Sequence, residues 1–271
     1  MQRTVRKMRG MRLHRNILNC AAILFAVFFG LQATATELTT AYQESYPKYY
    51  QSDPNDSQQV RGLCIDIIRA IEKTVPVTIT APGGFLPFKR LQNQLGTGQI
   101  DLFVGMAKNK ARAQRYIFID TPLYEVNHII AARREDPAFI SSFDDIRALA
   151  PDNIILTNLG TATEQLLKEQ KGLVVDSDAT SIEANLKKLL YGRGRFICFH
   201  DIGLIGAIQR YGYQSQVKTF AASCKQYYHY LALAPTTPKE TVALIDKAVR
   251  ELAASGELQR IRAQYLFSSD N

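Results

Sequence analysis

Histidine is scarce in this chain of 271 residues and tryptophan is absent, against 13 tyrosines and 13 phenylalanines. Beyond the N-terminal leader only His128, His200 and His229 remain, and none has a metal-ligand spacing such as H-E-x-x-H. No G-x-S-x-G elbow, phosphate-binding loop or dinucleotide fingerprint is present. His200 and Asp201 are adjacent, and neighbours on a strand face opposite ways, so they make a poor catalytic dyad. An enzyme, a resident metal and a cofactor are therefore not expected. After the leader no window is long and apolar enough to span a bilayer, which needs about 20 residues. No Lys/Arg run with interleaved aromatics marks a polyanion groove, which excludes nucleic acid as a partner.

The leader itself is informative. "MQRTVRKMRGMRLHR" is basic without an acid, "ILNCAAILFAVFFGL" is apolar, and Ala33 and Ala35 offer an A-x-A cleavage site. Residues 1–36 read as a secretory signal peptide, with an uncleaved anchor as the alternative, and place the protein in the periplasm. Cys20 precedes the apolar core, so it is not a lipid-attachment cysteine. The whole chain carries +8, from 33 basic and 25 acidic residues. Six of the basic residues lie in the leader, which leaves 27 against 25 and a net charge of +2. The mature chain also keeps three cysteines, Cys64, Cys198 and Cys224. That odd number allows one internal disulfide at most. Cys198 and Cys224, in the same half of the chain, are the candidate pair, against buried free thiols.

About 235 mature residues suffice for one large or two medium domains. "GLCIDIIRAIEKTV" shifts into helical spacing, "PVTITAP" reads as a strand, "FKRLQNQLGTG" as a helix stopped by glycine, and "QIDLFVGMA" as a buried strand. The alternation restarts with "SFDDIRAL", "NIILTNLGT", "ATEQLLKEQ", "GLVVDSD", "SIEANLKKLLYGRG" and "RFICFHD", where Ser181 is a candidate N-cap. Such alternation predicts mostly parallel sheets. "VNHIIAARRED" and "QYYHYLALAPTT" fit neither half and predict paired connecting strands. The expected architecture is two α/β lobes, residues 37–130 with 232–271 and residues 131–231, around a cleft suited to a small ligand.

In this order the chain resembles solute-binding protein family 3, the periplasmic amino-acid-binding proteins of ABC transporters. "GLCIDIIRAI" is similar to the family's Gly-hydrophobic-x-x-Asp helix opening. "PFKRLQNQLGTGQIDLFVG" follows its aromatic-x-Arg…Gly-x-hydrophobic-Asp segment, with Phe88 where tryptophan is frequent. "KARAQRYIFIDTPLY", "NLGTATEQLL" and "ELAASGELQRIRAQYL" resemble its arginine run, its Gly-Thr turn and its C-terminal helix. The resemblance implies a type II periplasmic-binding fold, mostly parallel sheets with helices on both faces and two connecting strands at the hinge.

It also implies roles. Arg112 stands where the family clamps a ligand carboxylate, a task suited to a planar guanidinium that keeps its charge. Gly160 and Thr161 would supply the second lobe's grip, if they are more than an ordinary strand-to-helix turn. Tyr46 and Tyr49 match the aromatic loop that packs on the ligand, against plain surface tyrosines. Phe88 is a second candidate wall, against a core position. Two departures stand out. The acidic residue that meets the ligand's ammonium falls on either His200 or Asp201. Gly105 and Ala107 replace residues whose hydroxyls often donate. The implied function is a monomeric receptor that captures a small carboxylate, an amino acid above all, by lobe closure and delivers it to an ABC permease. The alternatives are a sensing module for a membrane partner, a cyclohexadienyl-dehydratase-like enzyme and a degenerate cleft.

Overall fold

The computed structural model describes residues 35–51 and 59–265, with the side chains of 221–225 outside the description. The signal-peptide assignment and the Cys198–Cys224 pairing both involve residues or side chains outside it. The compact unit begins at Thr36.

The first part of the chain is strand–helix–strand. Strand β1 (Thr36–Thr39) lies parallel to β4 (Val77–Thr80), and helix α1 (Leu63–Thr74) crosses between them. Short strands β2 (Tyr50–Gln51) and β3 (Val60–Arg61) form a separate ribbon ahead of α1. Helix α1 buries Leu63, Ile67, Ile68 and Ile71, the helical spacing visible in the sequence. Helix α2 (Phe88–Thr97) ends at Gly98, as its Gly-Thr-Gly tail requires. It leads into the fully buried strand β5 (Leu102–Ala107). Helix α3 (Lys110–Ala113) and strand β6 (Ile117–Phe118) follow.

Two long strands organise the rest. Strands β7 (Tyr124–Arg133) and β11 (Val217–Leu233) pair antiparallel, with Tyr124 opposite His229 at one end and Arg133 opposite Val217 at the other. Between them in sequence lie α4 (Phe143–Arg147), β8 (Ile154–Asn158), α5 (Ala162–Lys168), β9 (Val174–Ala179), α6 (Ile182–Leu190), β10 (Phe196–His200) and α7 (Asp201–Arg210). Ser142 caps α4 in a capping box with Asp145, and Ser181 caps α6 by accepting from the Ala184 amide at 3.2 Å. Helices α8 (Lys239–Ala254) and α9 (Glu257–Ala263), split at Gly256, close the described chain.

The seven-stranded sheet runs β5-β11-β7-β10-β8-β9, with β6 also on β11. Parallel pairing, expected for most of the sheet, is found in the strand–helix–strand units β1/β4, β8/β9 and β8/β10. The connectors β7 and β11 pair antiparallel with each other and with β10, β5 and β6, which makes the sheet mixed. A chain that leaves one half and returns beside itself has to pair in this sense. The two-lobe fold is visible in the cores. One core joins residues 38–126 to Leu231–Leu233 and the last two helices, and two others draw on residues 129–220. Each connector contributes to both sides, β7 through Val126 and Ile129, and β11 through Leu231 and Val217.

Candidate functional site

The cleft between these cores is lined by Gln43, Lys48, Phe88, Gly105, Ala107 and Arg112 from one side and by the 161–163 turn, Phe199, His200, Tyr227 and His229 from the other side and the connectors. Its walls stand close together and enclose a cavity of about 30 Å³.

Arg112 is fixed from its own backbone outward. Asn109 caps α3 by accepting from the Arg112 amide at 2.9 Å, which sets the short helix just after β5. The side chain folds back over the strand end, where Nη1 donates to the Ala107 carbonyl at 2.9 Å. Nη2 crosses to the Gly160 carbonyl at 3.1 Å, and the guanidinium lies 5.3 Å above the Phe88 ring. With its oxygen turned toward the guanidinium, the Gln92 carboxamide accepts from Nη2 and Nε at 3.2 Å. Arg112 is only 7% exposed, and burial lowers its pKa while Tyr116 and Tyr227 act the other way. Among the described residues no carboxylate is within ion-pair distance of it. Arg112 points inward and touches both sides of the cleft.

Lys48 is the cleft residue that sequence reasoning missed. It is 5% exposed and lies among the lining residues. The backbone explains why it stays there. The amides of Leu63 and Cys64, at the start of α1, donate to the carbonyls of Pro47 and Lys48 at 3.0 and 3.1 Å. Gly62 has φ 129°, and a Cβ there would stand 2.4 Å from the Lys48 carbonyl oxygen. Only glycine lets the loop lie this close to the helix. The conspicuous glycine of "GLCIDIIRAI" therefore anchors Lys48. Burial pushes the Lys48 pKa down to about 8, opposed by the Cys64 thiol and assisted by Arg112.

The tyrosines expected on the ligand are elsewhere. Tyr49 is a core residue, with its hydroxyl donating to the Val104 carbonyl at 2.7 Å and its ring packed on Tyr42 and Phe103. Tyr46 stacks near Tyr50 under the Arg210 guanidinium, outside the cleft. Residues 46–48 form a turn closed by the Lys48 and Tyr49 amides donating to the Ser45 carbonyl at 2.7 and 3.0 Å, with Lys48 in the cleft wall and Tyr49 in the core. Phe88 does stand in the cleft wall, 5.9 Å from the Phe103 ring.

The turn after β8 is more self-contained than the sequence suggests. The Gly160 amide donates to Glu164 Oε2 at 2.6 Å, and the Thr161 hydroxyl donates to the Asn158 carbonyl at 2.8 Å while capping α5. Gly160 offers its carbonyl to Arg112, and Thr161, Ala162 and Thr163 line the cleft. A further contact crosses beside it, from Asn109 Nδ2 to Gln165 Oε1 at 2.8 Å.

At the end of β10 the register falls on His200. This residue lines the cleft at 3% exposure, its Nδ1 accepts from the Gly203 amide at 2.9 Å, and its buried Nε2 has no partner. An accepting Nδ1 places the ring proton on Nε2. Burial first, then Lys48, His229 and His128, hold the His200 pKa well below the usual 6.5, so the ring is neutral. Asp201 is absent from the lining: it accepts from Asn127 Nδ2 at 3.1 Å and from the Ile202 amide at 2.7 Å. His229, also neutral by burial, meets the Tyr124 hydroxyl through Nδ1 at 3.0 Å, and His128 Nε2 meets the Thr163 hydroxyl at 2.8 Å.

Gly105 and Ala107 line the cleft at the end of β5. The missing hydroxyl at position 105 has a steric cause. With φ 91°, a Cβ would stand 2.6 Å from the Tyr124 hydroxyl and 2.8 Å from Cys64 Sγ. Among the described residues no cluster of His, Cys, Asp and Glu could hold a metal ion.

The family profile of the bacterial extracellular solute-binding proteins, family 3, matches residues 38–268, nearly the whole described chain. The chain belongs to this family. Its two-lobed fold is shared with known solute-binding structures. An ancestral arginine-binding protein bound to arginine aligns with a TM-score of 0.73 and 20% identity, over 86% of this chain and 100% of that one. A Streptococcus pneumoniae amino-acid ABC transporter substrate-binding protein bound to L-arginine gives 0.72 and 19%, over 84% and 94%. A histidine kinase sensor domain similar to periplasmic binding proteins gives 0.72 and 20%, over 85% and 96%. No curated protein sequence matches. Beside Arg112, the cleft wall carries Lys48, and His200 stands where an acid was a candidate.

Proposed function

We propose that this protein is a periplasmic receptor that captures a small carboxylate-bearing solute between its two lobes, with Arg112 as the carboxylate clamp. The observation that carries the reading is the placement of Arg112. It is a buried guanidinium, without a carboxylate partner among the described residues, stacked on Phe88 and reaching from the end of β5 to the Gly160 turn. A ligand carboxylate entering there takes two parallel donors from Arg112 and replaces the neutral Gly160 carbonyl with a charged acceptor, the stronger partner. Closure then follows from differential affinity: a solute held by both sides favours the closed arrangement by the contacts it makes only there. The lobes divide at the β7–β11 connectors, near residues 130 and 231. Export by the N-terminal leader, action as a monomer and delivery to an inner-membrane ABC permease complete the proposal, consistent with the amino-acid transporters among the structural neighbours.

The test is a thermal-shift panel of amino acids, opines, dicarboxylates, amines and sugars. A solute at 100 times its dissociation constant adds about 2.7 kcal/mol to stability. Arg112→Ala should abolish the shift while leaving a cooperative melt, and normal binding by that variant would refute the clamp. The sensor-domain neighbour supports a second reading, in which the same capture reports to a membrane kinase. Stimulation of a reconstituted permease ATPase by the loaded protein separates transport from sensing.

A further inference from the structure

We infer that the solute this cleft selects is a short, amine-free dicarboxylate, with one carboxylate on Arg112 and the other on Lys48. The inference deepens the carboxylate-capture reading and depends on it. Its first basis is the charge inventory of the wall. Two cations line the cleft, and among the described residues no aspartate or glutamate does. The nearby acids are engaged elsewhere: Asp201 with Asn127 and the α7 amide, and Glu164 with the Gly160 amide, Lys168 and Ser177. An α-amino acid is a zwitterion. Its carboxylate would satisfy one cation, and its ammonium would sit beside the other with no counter-charge. A buried charge without a partner is among the costliest arrangements in a protein.

The second basis is Lys48 itself. A nearly fully buried ammonium close to a guanidinium contributes nothing to folding, yet the Gly62 contact and two helix amides hold its backbone in place. Among the described residues no carboxylate pairs with it, and burial above all, with Arg112 adding to it, pushes its pKa down. A second carboxylate on the ligand supplies that partner. The third basis is His200. Its unpartnered Nε2–H is a neutral donor locked in the wall, suited to a carboxylate or keto oxygen and unsuited to an ammonium.

The experiment is calorimetric titration of the purified chain with dicarboxylates from malonate to adipate, then with 2-oxoglutarate, aspartate, glutamate, glutamine, butyrate, pentanoate, phosphate and sulfate. Glutarate, 2-oxoglutarate and glutamate share a skeleton and differ only at the second carbon. The expected result is a dicarboxylate that binds at least about a hundredfold tighter than its amino counterpart and than the monocarboxylate of equal length. Lys48→Met should reduce that affinity to the monocarboxylate level, and Lys48→Arg, which keeps the charge, should retain part of it. Far-UV circular dichroism and a cooperative melt establish that each variant is folded. Glutamate or glutamine binding as tightly as the dicarboxylates, and dependent on Arg112, would overturn this inference and leave carboxylate capture standing. Phosphate or sulfate binding more tightly than any dicarboxylate would overturn it in favour of an inorganic oxyanion. Failure of every carboxylate, with or without an amine, would overturn both readings.

Discussion

Lys48→Met should make this protein more stable while removing affinity, and the gain should fade as the pH rises. Methionine matches the length and apolar stem of lysine, so the change removes a charge without opening a cavity. A buried lysine held at about 8 rather than 10.5 costs the fold about 3 kcal/mol wherever folded and unfolded chains both carry the proton. The sign follows from proton counting. Between pH 8 and 10.5 the unfolded chain holds a proton that the folded chain has lost, so wild-type stability rises with pH through that window. The advantage of Lys48→Met is therefore complete at pH 6 and falls to about 1.4 kcal/mol at pH 9.5. Cys64, pushed up to about 11 by burial against the opposing effects of Lys48, Tyr124 and Tyr49, titrates in both proteins and largely cancels from the difference. At pH 6 the melting temperature should rise by roughly 6–12 °C for a chain of this size. The assay is paired urea unfolding of wild type and variant from pH 6 to 9.5. Equal stability at pH 6, or a difference that does not shrink toward pH 9.5, would show that Lys48 is not a strained buried cation. The case for a second anion on the ligand would then lose its main support.

Two further substitutions test the surroundings of the cleft. Gly105→Ser restores a hydroxyl at the end of β5 but forces a Cβ against the Tyr124 hydroxyl, itself fixed by His229 and Cys64. It should cost about 3 kcal/mol by steric strain and gain no affinity, and a melt within one degree of wild type would refute the steric account. Arg210, on α7, lies 4.9 Å from the Tyr46 ring and 5.3 Å from that of Tyr50, a contact between the two sides outside the cleft. Arg210→Ala should weaken solute binding about fivefold, equivalent to about 1 kcal/mol of lost closure energy, with the cleft chemistry intact. Unchanged affinity in the calorimeter would show that the contact persists when the lobes separate.

The fold was far more legible in the sequence than the cleft, and particular residues show why. Helix α1 declares itself through Ile67, Ile68 and Ile71, α2 through the glycine after Thr97, and β10 through an unbroken run of apolar residues, because burial of a whole face repeats along the chain. Mixed pairing of the large sheet was not legible, since strand direction depends on where β7 and β11 meet and not on their composition. Arg112 was found through the family's arginine pattern and not through any local signal. Lys48 had neither. In "SYPKYY" the tyrosines attract notice and the lysine reads as a solvated charge. The one available clue was remote, the glycine at position 62, whose positive φ serves the close approach of residues 47 and 48.

The choice between His200 and Asp201 illustrates the same limit at the scale of one residue. Both are polar, both follow an apolar strand, and a shift of one position exchanges their faces. The helix decides between them: α7 starts at Asp201, so His200 becomes the cap and turns Nδ1 to the Gly203 amide, while the Asp201 carboxylate turns to its own helix amide and Asn127. A carboxylate at the first turn is favoured by the helix N-terminus whatever the cleft requires. Local capping has thus removed the acid from the cleft and left a neutral donor in its place. With Lys48 and Arg112 in the facing wall, that single register leaves two cations and a neutral donor lining the cleft. If the solute is the dicarboxylate inferred above, its selection follows from a helix cap and an anchored lysine more than from the arginine that the fold family made visible.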